Sequence, residues 1–464
     1  MDFRRIFRII PEVRSPEEKK LDFKTKAKWT LIVLGAFFIL ANIPLFGLSV
    51  NALERFEYLA IILGTDFGSI ISLGIGPIVM ASIILQLLTG SGIINIDTTN
   101  PEGRKFFQGI QKLLTFFFIV FEALIYVFMQ GLQATPGFTG VVIFQLILGG
   151  LAIYYMDDLM QKWGLGSGVS LFIAAGVSWR LITSALQFVN QQGSNCILDF
   201  ANTACSGKIL VVFQSVAGAL KDSIELTSAL GAIIATIVIF LIVVWVQSLK
   251  VEIPLSFGRV RGYGVKWPLS FFYASVIPVI LTAALVANIQ LFGGMLEGWL
   301  GHPTILGQFI DGQAISGLAF WIGSTNILEL TIRGGFLAKY LLQGLTHILF
   351  FILFSTLFAV FWVKTSGMDS KAQAHKISSS GLQVAGFRQD ERVLESILDR
   401  YIMPLTVMGG IAIGLLASIT DLLGALVSGT AILLVIMITY QFYQNIAQQH
   451  QMDMNPMMRK FMGG

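Results

Sequence analysis

The stretch LGIGPIVMASIILQLL, residues 73–88, is long enough to enter a membrane and contains no charged residue. Two glycines and a proline stand within its first five residues. These residue types leave a helix start free to bend, because glycine has no Cβ and proline lacks a backbone donor. Ile75 and Val79 are four residues apart, so they share one helical face. The stretch therefore predicts a membrane helix with a hinged start and a face of branched alkyl groups.

The composition of the whole chain is that of a membrane protein. Of 464 residues, 55% are hydrophobic and 12% are charged, about half the charged fraction of a typical soluble domain. Several windows hold 18 or more apolar residues, which predicts a polytopic helical membrane protein. The basic, amphipathic start, MDFRRIFRIIPEVR, lacks a cleavage site after its apolar run. It suits either an interfacial helix or a topogenic tail.

The sequence offers little that would support catalysis. We find no acid/base pair, nucleophile elbow or Walker loop, and the four histidines are scattered without metal-ligand spacing. We therefore expect neither an enzyme nor a bound metal or cofactor.

Hydropathy predicts ten membrane segments in an all-α protein. Their expected limits are 29–48, 74–90, 110–131, 140–158, 168–185, 229–249, 269–292, 338–363, 402–420 and 427–446.

The basic residues predict how these segments are oriented. With the N-terminus inside, 25 of the 31 Lys and Arg residues fall on the inner side, which places both termini in the cytoplasm. Five segments precede the long outer loop and five follow it, as an inverted repeat requires. The expected organisation is an N-terminal segment (1–28), a first half (29–185), an outer loop and hinge (186–228), a second half (229–446) and a tail (447–464).

Two features of the predicted outer side stand out. Cys196 and Cys205 share the loop after the fifth segment, where an oxidising exterior would allow a disulfide; two free thiols are the alternative. Residues 51–70 are too charged to cross the membrane, and only 58–63 are continuously apolar. They form either a helix that dips back into the protein or an exposed linker.

Five strings in chain order carry a resemblance to a known family. They are LGIGPIV (73–79), GSGVSLFIAAGVS (166–178), VEIPLSFGR (251–259), IPVILTAALVANIQ (277–290) and PLTVM (404–408). With them the sequence resembles the SecY family of protein-conducting channels, in its archaeal branch.

The resemblance implies two five-helix halves around an hourglass pore with an apolar ring at its waist. The matching ring residues are Ile75, Val79, Val169, Ile173, Ile280 and Leu434. Two of its pairs, 75/79 and 169/173, have the spacing of one helical face, although such residues can also simply pack or face lipid. Residues 51–70 would be a movable plug, with Leu53, Phe56, Leu59 and Ile62 as its apolar positions.

The resemblance also implies exits and partners. A lateral gate would open between segments two and three and segments seven and eight. Gln86 and Asn288 could hydrogen-bond across the closed seam there, or they could be ordinary packing residues. Arg259, Arg261 and Arg388 lie in two basic inner loops that would dock the ribosome; the alternative is that these charges only fix the topology. The other implied partners are a SecE-type small subunit, a β-type small subunit, nascent polypeptides with their signal sequences, and membrane lipid.

The function that these features predict is passage of unfolded polypeptides across the cell membrane, with lateral release of membrane helices. A secondary transporter with five-plus-five inverted repeats, or a scaffold without a pore, remains an alternative, because inverted repeats also build transporters. Transporters, however, place charged substrate sites near the midplane, and the candidate midplane here is alkyl.

Overall fold

The structure is a computed structural model that is mostly helical. It describes residues 11–17, 21–51, 53, 65–94, 96, 101–189, 195–196, 198, 205–218, 223–257, 264–310, 312–335, 337–379, 382–384 and 390–454. The described helices are α1 (Phe23–Ala41), α2 (Gly76–Gly90), α3 (Pro101–Phe128), α4 (Thr139–Trp163), α5 (Gly168–Leu186), α6 (Lys208–Val216), α7 (Ser223–Gln247), α8 (Ile277–Leu300), α9 (Gly317–Ile322), α10 (Ile327–Ile332), α11 (Ala338–Thr365), α12 (Ser370–Ser379), α13 (Glu391–Leu422) and α14 (Gly429–Met454).

Eight of the described helices are long and apolar enough to cross a membrane, where hydropathy predicts ten segments. The eight are α3, α4, α5, α7, α8, α11, α13 and α14. Helix α2 is apolar but has 15 residues, a length of roughly 22 Å against a bilayer core of about 30 Å. Helix α1 has 19 residues and carries three lysines in its first two turns.

Several predicted segment limits are wrong. Helices α3 and α13 begin at Pro101 and Glu391, before the predicted 110 and 402, and two predicted segments extend into chain that is not helical. In the predicted segment 29–48 the helix α1 already ends at Ala41. Pro44 follows, and a proline disfavours helical backbone at the residue before it. The segment 269–292 starts late, because the chain stays in a β-ladder up to Ser270 and α8 begins at Ile277.

Short strands connect the helices. β1 (Leu48–Asn51) pairs antiparallel with β2 (Leu132–Ala134). β3 (Lys250–Phe257) forms an antiparallel hairpin with β4 (Gly264–Ser270), and β7 (Leu382–Val384) adds to the other edge of β3. β5 (Gln308–Ile310) and β6 (Gln313–Ser316) form a third pair. The hairpin lies in a segment that the sequence predicts to be a basic loop, because its strands contain no long apolar run.

The long helices pack as two groups. In the first group α4 contacts α1, α3 and α5, and α2 packs on α3. In the second group α11 contacts α8 and α13, while α14 contacts α7 and α13. The groups meet along two seams: α2 lies against α8 and α11, and α14 lies against α1 and α5. The space between the groups is therefore bounded by α2, α5, α8 and α14.

The chain before α1 is tied to α3 and to the last turns of α4. Lys112 Nζ lies 2.6 Å from a Glu12 carboxylate oxygen, and Lys162 Nζ donates to the Val13 carbonyl at 2.7 Å. The Val13 amide donates to Asp158 Oδ2 at 2.9 Å. The hydrogen bond from Lys112 lowers the pKa of the Glu12 carboxyl from its ordinary value of 4.5. Glu12 is accordingly ionised at neutral pH, which keeps this contact intact.

Candidate functional site

The six predicted ring residues belong to one apolar cluster between the two helix groups. Its members come from both groups. Val169 is partly buried and packs against this cluster. The other five are buried members of it: Ile75, Val79, Ile173, Ile280 and Leu434. The cluster as a whole is much larger than the six, so their shared membership places them together without defining a ring.

The starts of α2 and α8 have the same geometry. Before α2, Gly74 has φ +53° and Ile75 is the cap residue; before α8, Ser275 has φ +61° and Val276 is the cap residue. A proline then occupies the first turn of each helix, where a missing amide hydrogen costs least. Val79 and Ile280 each follow that proline by two residues. The first group and the second group therefore present an alkyl side chain from equivalent positions.

Glycine suits the backbone conformation at position 74, although Ser275 adopts the same region before α8. A φ of +53° is the left-handed region, which side chains with a Cβ rarely adopt. The turn lets the chain enter α2 from a buried segment, since residues 71–79 are all buried.

The predicted gate amides are buried, but no hydrogen bond joins them. Gln86 on α2 and Asn288 on α8 are each 2% exposed. The Asn288 amide nitrogen donates to Ala284 O of its own helix at 2.8 Å. The amide oxygens of both residues have no hydrogen-bond partner among the described residues. The bond that could have formed across the seam is therefore absent, and Asn288 uses an amide donor along its own helix instead.

Elsewhere along this seam, α2 and α11 meet at a glycine. A Cβ on Gly90, the last residue of α2, would lie 2.4 Å from ring atoms of Phe361 on α11. The ring consequently lies directly on the helix backbone. This contact lies at the C-terminal end of α2, and hydropathy alone does not indicate it.

The predicted plug is described only at its edges. Leu53 is 1% exposed and belongs to a second apolar cluster with Leu291 and Met295 of α8. Phe56, Leu59 and Ile62 lie outside the described residues.

The predicted docking arginines Arg259, Arg261 and Arg388 also lie outside the described residues. The neighbouring strands are described, and β3 pairs with both β4 and β7. One small sheet thus joins the two chain segments that contain these arginines.

A disulfide joins Cys196 and Cys205, with the Cα atoms 5.2 Å apart. Both cysteines are buried in a small cluster with Val211 of α6 and Ala229 of α7. The bond closes the loop between α5 and α6 and packs it against α7.

Two ionisable residues lie buried inside the helix bundle. His347 on α11 is hydrogen-bonded, since its Nδ1 lies 2.7 Å from Ile322 O. Glu122 on α3 is 1% exposed, and neither carboxylate oxygen has a hydrogen-bond partner among the described residues. It lies beside the start of α2, where a Cβ on Gly76 would be 3.0 Å from Glu122 Oε2. Hydrogen-bond partners from other helices depend on tertiary packing, so the sequence could not distinguish these two cases.

Among the described residues no group of three or more His, Cys, Asp or Glu side chains could hold a metal ion. The described residues thus define a multi-pass helical membrane protein whose two helix groups enclose an apolar centre.

Comparison with known proteins gives the family. The SecY family model matches residues 69–443. The protein translocase subunit SecY of Methanothermobacter thermautotrophicus is 41% identical over 99% of this chain and 98% of the relative, and that of Pyrococcus horikoshii is 38% identical over 98% and 97%. The chain belongs to the SecY family.

Solved structures agree with this assignment. A structure described as that of a protein conducting channel matches with a TM-score of 0.82 and 37% identity, over 97% of this chain and 98% of the other. Sec61 in the canine ribosome-channel complex from the endoplasmic reticulum matches with a TM-score of 0.79 and 36% identity over the same shares. The predicted resemblance is therefore confirmed.

Proposed function

We propose that this chain is the pore-forming subunit of a protein translocation channel in the cell membrane. It passes unfolded secretory polypeptides across the membrane and releases membrane helices sideways into lipid. The observation that carries the proposal is the apolar cluster between two helix groups in a chain that is 41% identical to a protein translocase subunit.

The waist of the proposed pore is the ring of Ile75, Val79, Val169, Ile173, Ile280 and Leu434. Alkyl side chains suit this task, because they make weak, non-directional contacts and hold no particular sequence. An empty apolar constriction also tends to dewet, which raises the barrier to ions. The equivalent starts of α2 and α8 support a ring built from both halves.

The lateral exit is the seam of α2 with α8 and α11. A segment with about ten apolar residues gains a few kcal/mol on leaving for lipid, at roughly 0.3–0.6 kcal/mol per residue. Gln86, Asn288 and the Gly90–Phe361 contact line this seam and would separate when it opens. Residues 51–70 act as the plug, and the burial of Leu53 against α8 supports that role.

The proposed topology has ten membrane helices, with α1 and α2 added to the eight long ones, as two inverted halves with both termini in the cytoplasm. The excess of Lys and Arg on that side supports it. The proposed partners are the ribosome, a SecE-type small subunit and a β-type small subunit. The similarity to Sec61 in a ribosome-channel complex supports the first of these.

Nascent-chain crosslinking tests the proposed function. We expect a stalled secretory chain to crosslink to a photoreactive residue at Val79 or Ile280 after reconstitution with a single-span SecE-type partner. The matched control is Leu349 on α11, which is 57% exposed and would face lipid. Crosslinks at Leu349 but at neither ring position would contradict a polypeptide pore, and a transporter or a scaffold would give none at either ring position.

Charge reversal tests the proposed ribosome docking. We expect the double variant Arg261→Glu and Arg388→Glu to lose co-sedimentation with ribosomes at moderate salt, because contacts to RNA phosphate depend on positive charge. Lys105→Glu is the control, since it reverses an exposed charge on the same predicted side. Ribosome binding that survives the double reversal would refute the assignment of these arginines.

A further inference from the structure

Helix α5 begins against a buried aspartate of the preceding helix. Asp157 on α4 is 5% exposed, and its Oδ1 accepts a hydrogen bond from the Val169 amide at 3.0 Å. Gly168 makes this approach possible, because a Cβ there would lie 2.6 Å from the Asp157 Cα. The other carboxylate oxygen accepts from Gln161 Nε2 at 2.8 Å, which holds the group in place.

Helix α14 begins in the same way. Asp421 on α13 has a side chain that is 7% exposed, and its Oδ1 accepts from the Thr430 amide at 2.6 Å. Gly429 lies directly on α13, since a Cβ there would be 2.0 Å from the Thr420 carbonyl carbon. The second oxygen accepts from the Thr430 hydroxyl and lies 3.6 Å from His347 Nε2.

The two arrangements correspond residue by residue. In each, the first helical residue is a glycine that lies against the preceding long helix. An aspartate of that preceding helix accepts a hydrogen bond from the amide of the residue after the glycine. In each, a proposed ring residue lies four positions beyond the bound amide: Ile173 after Val169, and Leu434 after Thr430. Four residues are about one turn, so the bound amide and the ring residue lie on one helical face.

A bond at this position controls where the helix starts. The first amides of a helix have no partner within it, and in a low-dielectric membrane interior an unpaired amide is costly. A carboxylate at a helix N-terminus supplies the acceptor and complements the helix dipole. Removing it lets the first turn unwind or shift, and the side chain one turn further on moves with it.

We propose that Asp157 and Asp421 are paired positioning residues, which set the height at which Ile173 and Leu434 enter the pore waist. The inference deepens the proposed function and rests on it. Thr430 occupies the position equivalent to Val169, and its hydroxyl turns to Asp421. At this equivalent position the second half therefore has Thr430, whose hydroxyl helps to cap α14, and the first half has Val169, a further proposed ring residue.

Alanine, asparagine and glutamate variants at both positions test this, with resting ion conductance in planar bilayers as the readout. We expect Asp157→Ala and Asp421→Ala to raise the resting conductance roughly fivefold, the factor that one lost helix cap gives. The asparagine variants should stay near the wild type, because the amide oxygen still accepts the bond. If an alanine variant does not fold, the glutamate variant decides: it keeps the charge but displaces the helix start, and should also leak.

Asp390→Ala is the matched control. Asp390 caps α13 by accepting from the Arg392 amide at 3.0 Å, it is exposed, and α13 carries no proposed ring residue. Its loss should leave the resting conductance unchanged. Folded alanine or glutamate variants that translocate polypeptide with wild-type resting conductance would overturn the positioning role, as would an equal rise in Asp390→Ala. A wild-type protein that crosslinks no nascent chain would overturn the proposed function and this inference with it.

Discussion

Replacing Ile173 by asparagine will make the resting channel leak ions. Ile173 is fully buried in the apolar cluster between the helix groups. An amide without a partner in such a site costs about 1–3 kcal/mol, so entry of water that satisfies it becomes favourable. Since about 1.4 kcal/mol is a factor of ten, we expect the resting conductance in planar bilayers to rise about tenfold or more.

The control for this variant lies on the same helix. Ile182 of α5 is 55% exposed, so Ile182→Asn makes the same chemical change away from the apolar centre. Its resting conductance should equal that of the wild type. Equal conductance of the two variants would show that Ile173 does not line the conduction path.

Replacing Gly149 by leucine will prevent recovery of folded protein. On α4, a Cβ at this position would lie 1.8 Å from the carbonyl oxygen of Ile70. The obstacle is backbone, so no rotamer change can relieve it. Overpacking typically costs about 1–3 kcal/mol, and we expect a loss above that range because α4 must move away from the segment that leads into α2.

Thermal unfolding of the detergent-solubilised protein measures this effect. Gly140→Leu is the control, because Gly140 lies on the same helix and a Cβ there meets nothing within 4 Å. That variant should have a Tm close to the wild type. A Gly149→Leu protein with the yield and Tm of Gly140→Leu would mean that α4 and residue 70 are not in contact.

Much of the fold follows from local pattern. The apolar runs predict α3, α4, α5, α7, α11, α13 and α14 at nearly the right places, because membrane helices need long stretches without charge. The predicted limits extend beyond the helices at the end of α1 and at the start of α8. In both places the sequence is apolar, but Pro44 follows the end of α1 and the strand β4 precedes α8. The count of ten is a prediction that the eight long helices alone do not settle.

The candidate site is predicted less evenly. The family strings select Ile75, Val79 and Ile280, and the structure puts them in one cluster. Gln86 and Asn288, which could have been a bonded pair or ordinary packing residues, are not hydrogen-bonded to each other in the structure. Their role at a lateral gate stays a prediction. The sequence pattern alone does not indicate Asp157 and Asp421, which lie 11 and 8 residues before the glycines that start α5 and α14. That spacing is a signal only once the helices are known to touch.

The sequence by itself determined that this chain is a multi-pass helical membrane protein, that its charges favour one orientation, and that it resembles the SecY family. These properties depend on composition and on the spacing of residues along the chain, and both are fixed before the chain folds. Only the tertiary structure decided which alkyl side chains share the apolar centre, that Phe361 lies on Gly90, and that two aspartates hold the starts of α5 and α14. Such contacts join residues on different helices, and their distances are set by how whole helices pack.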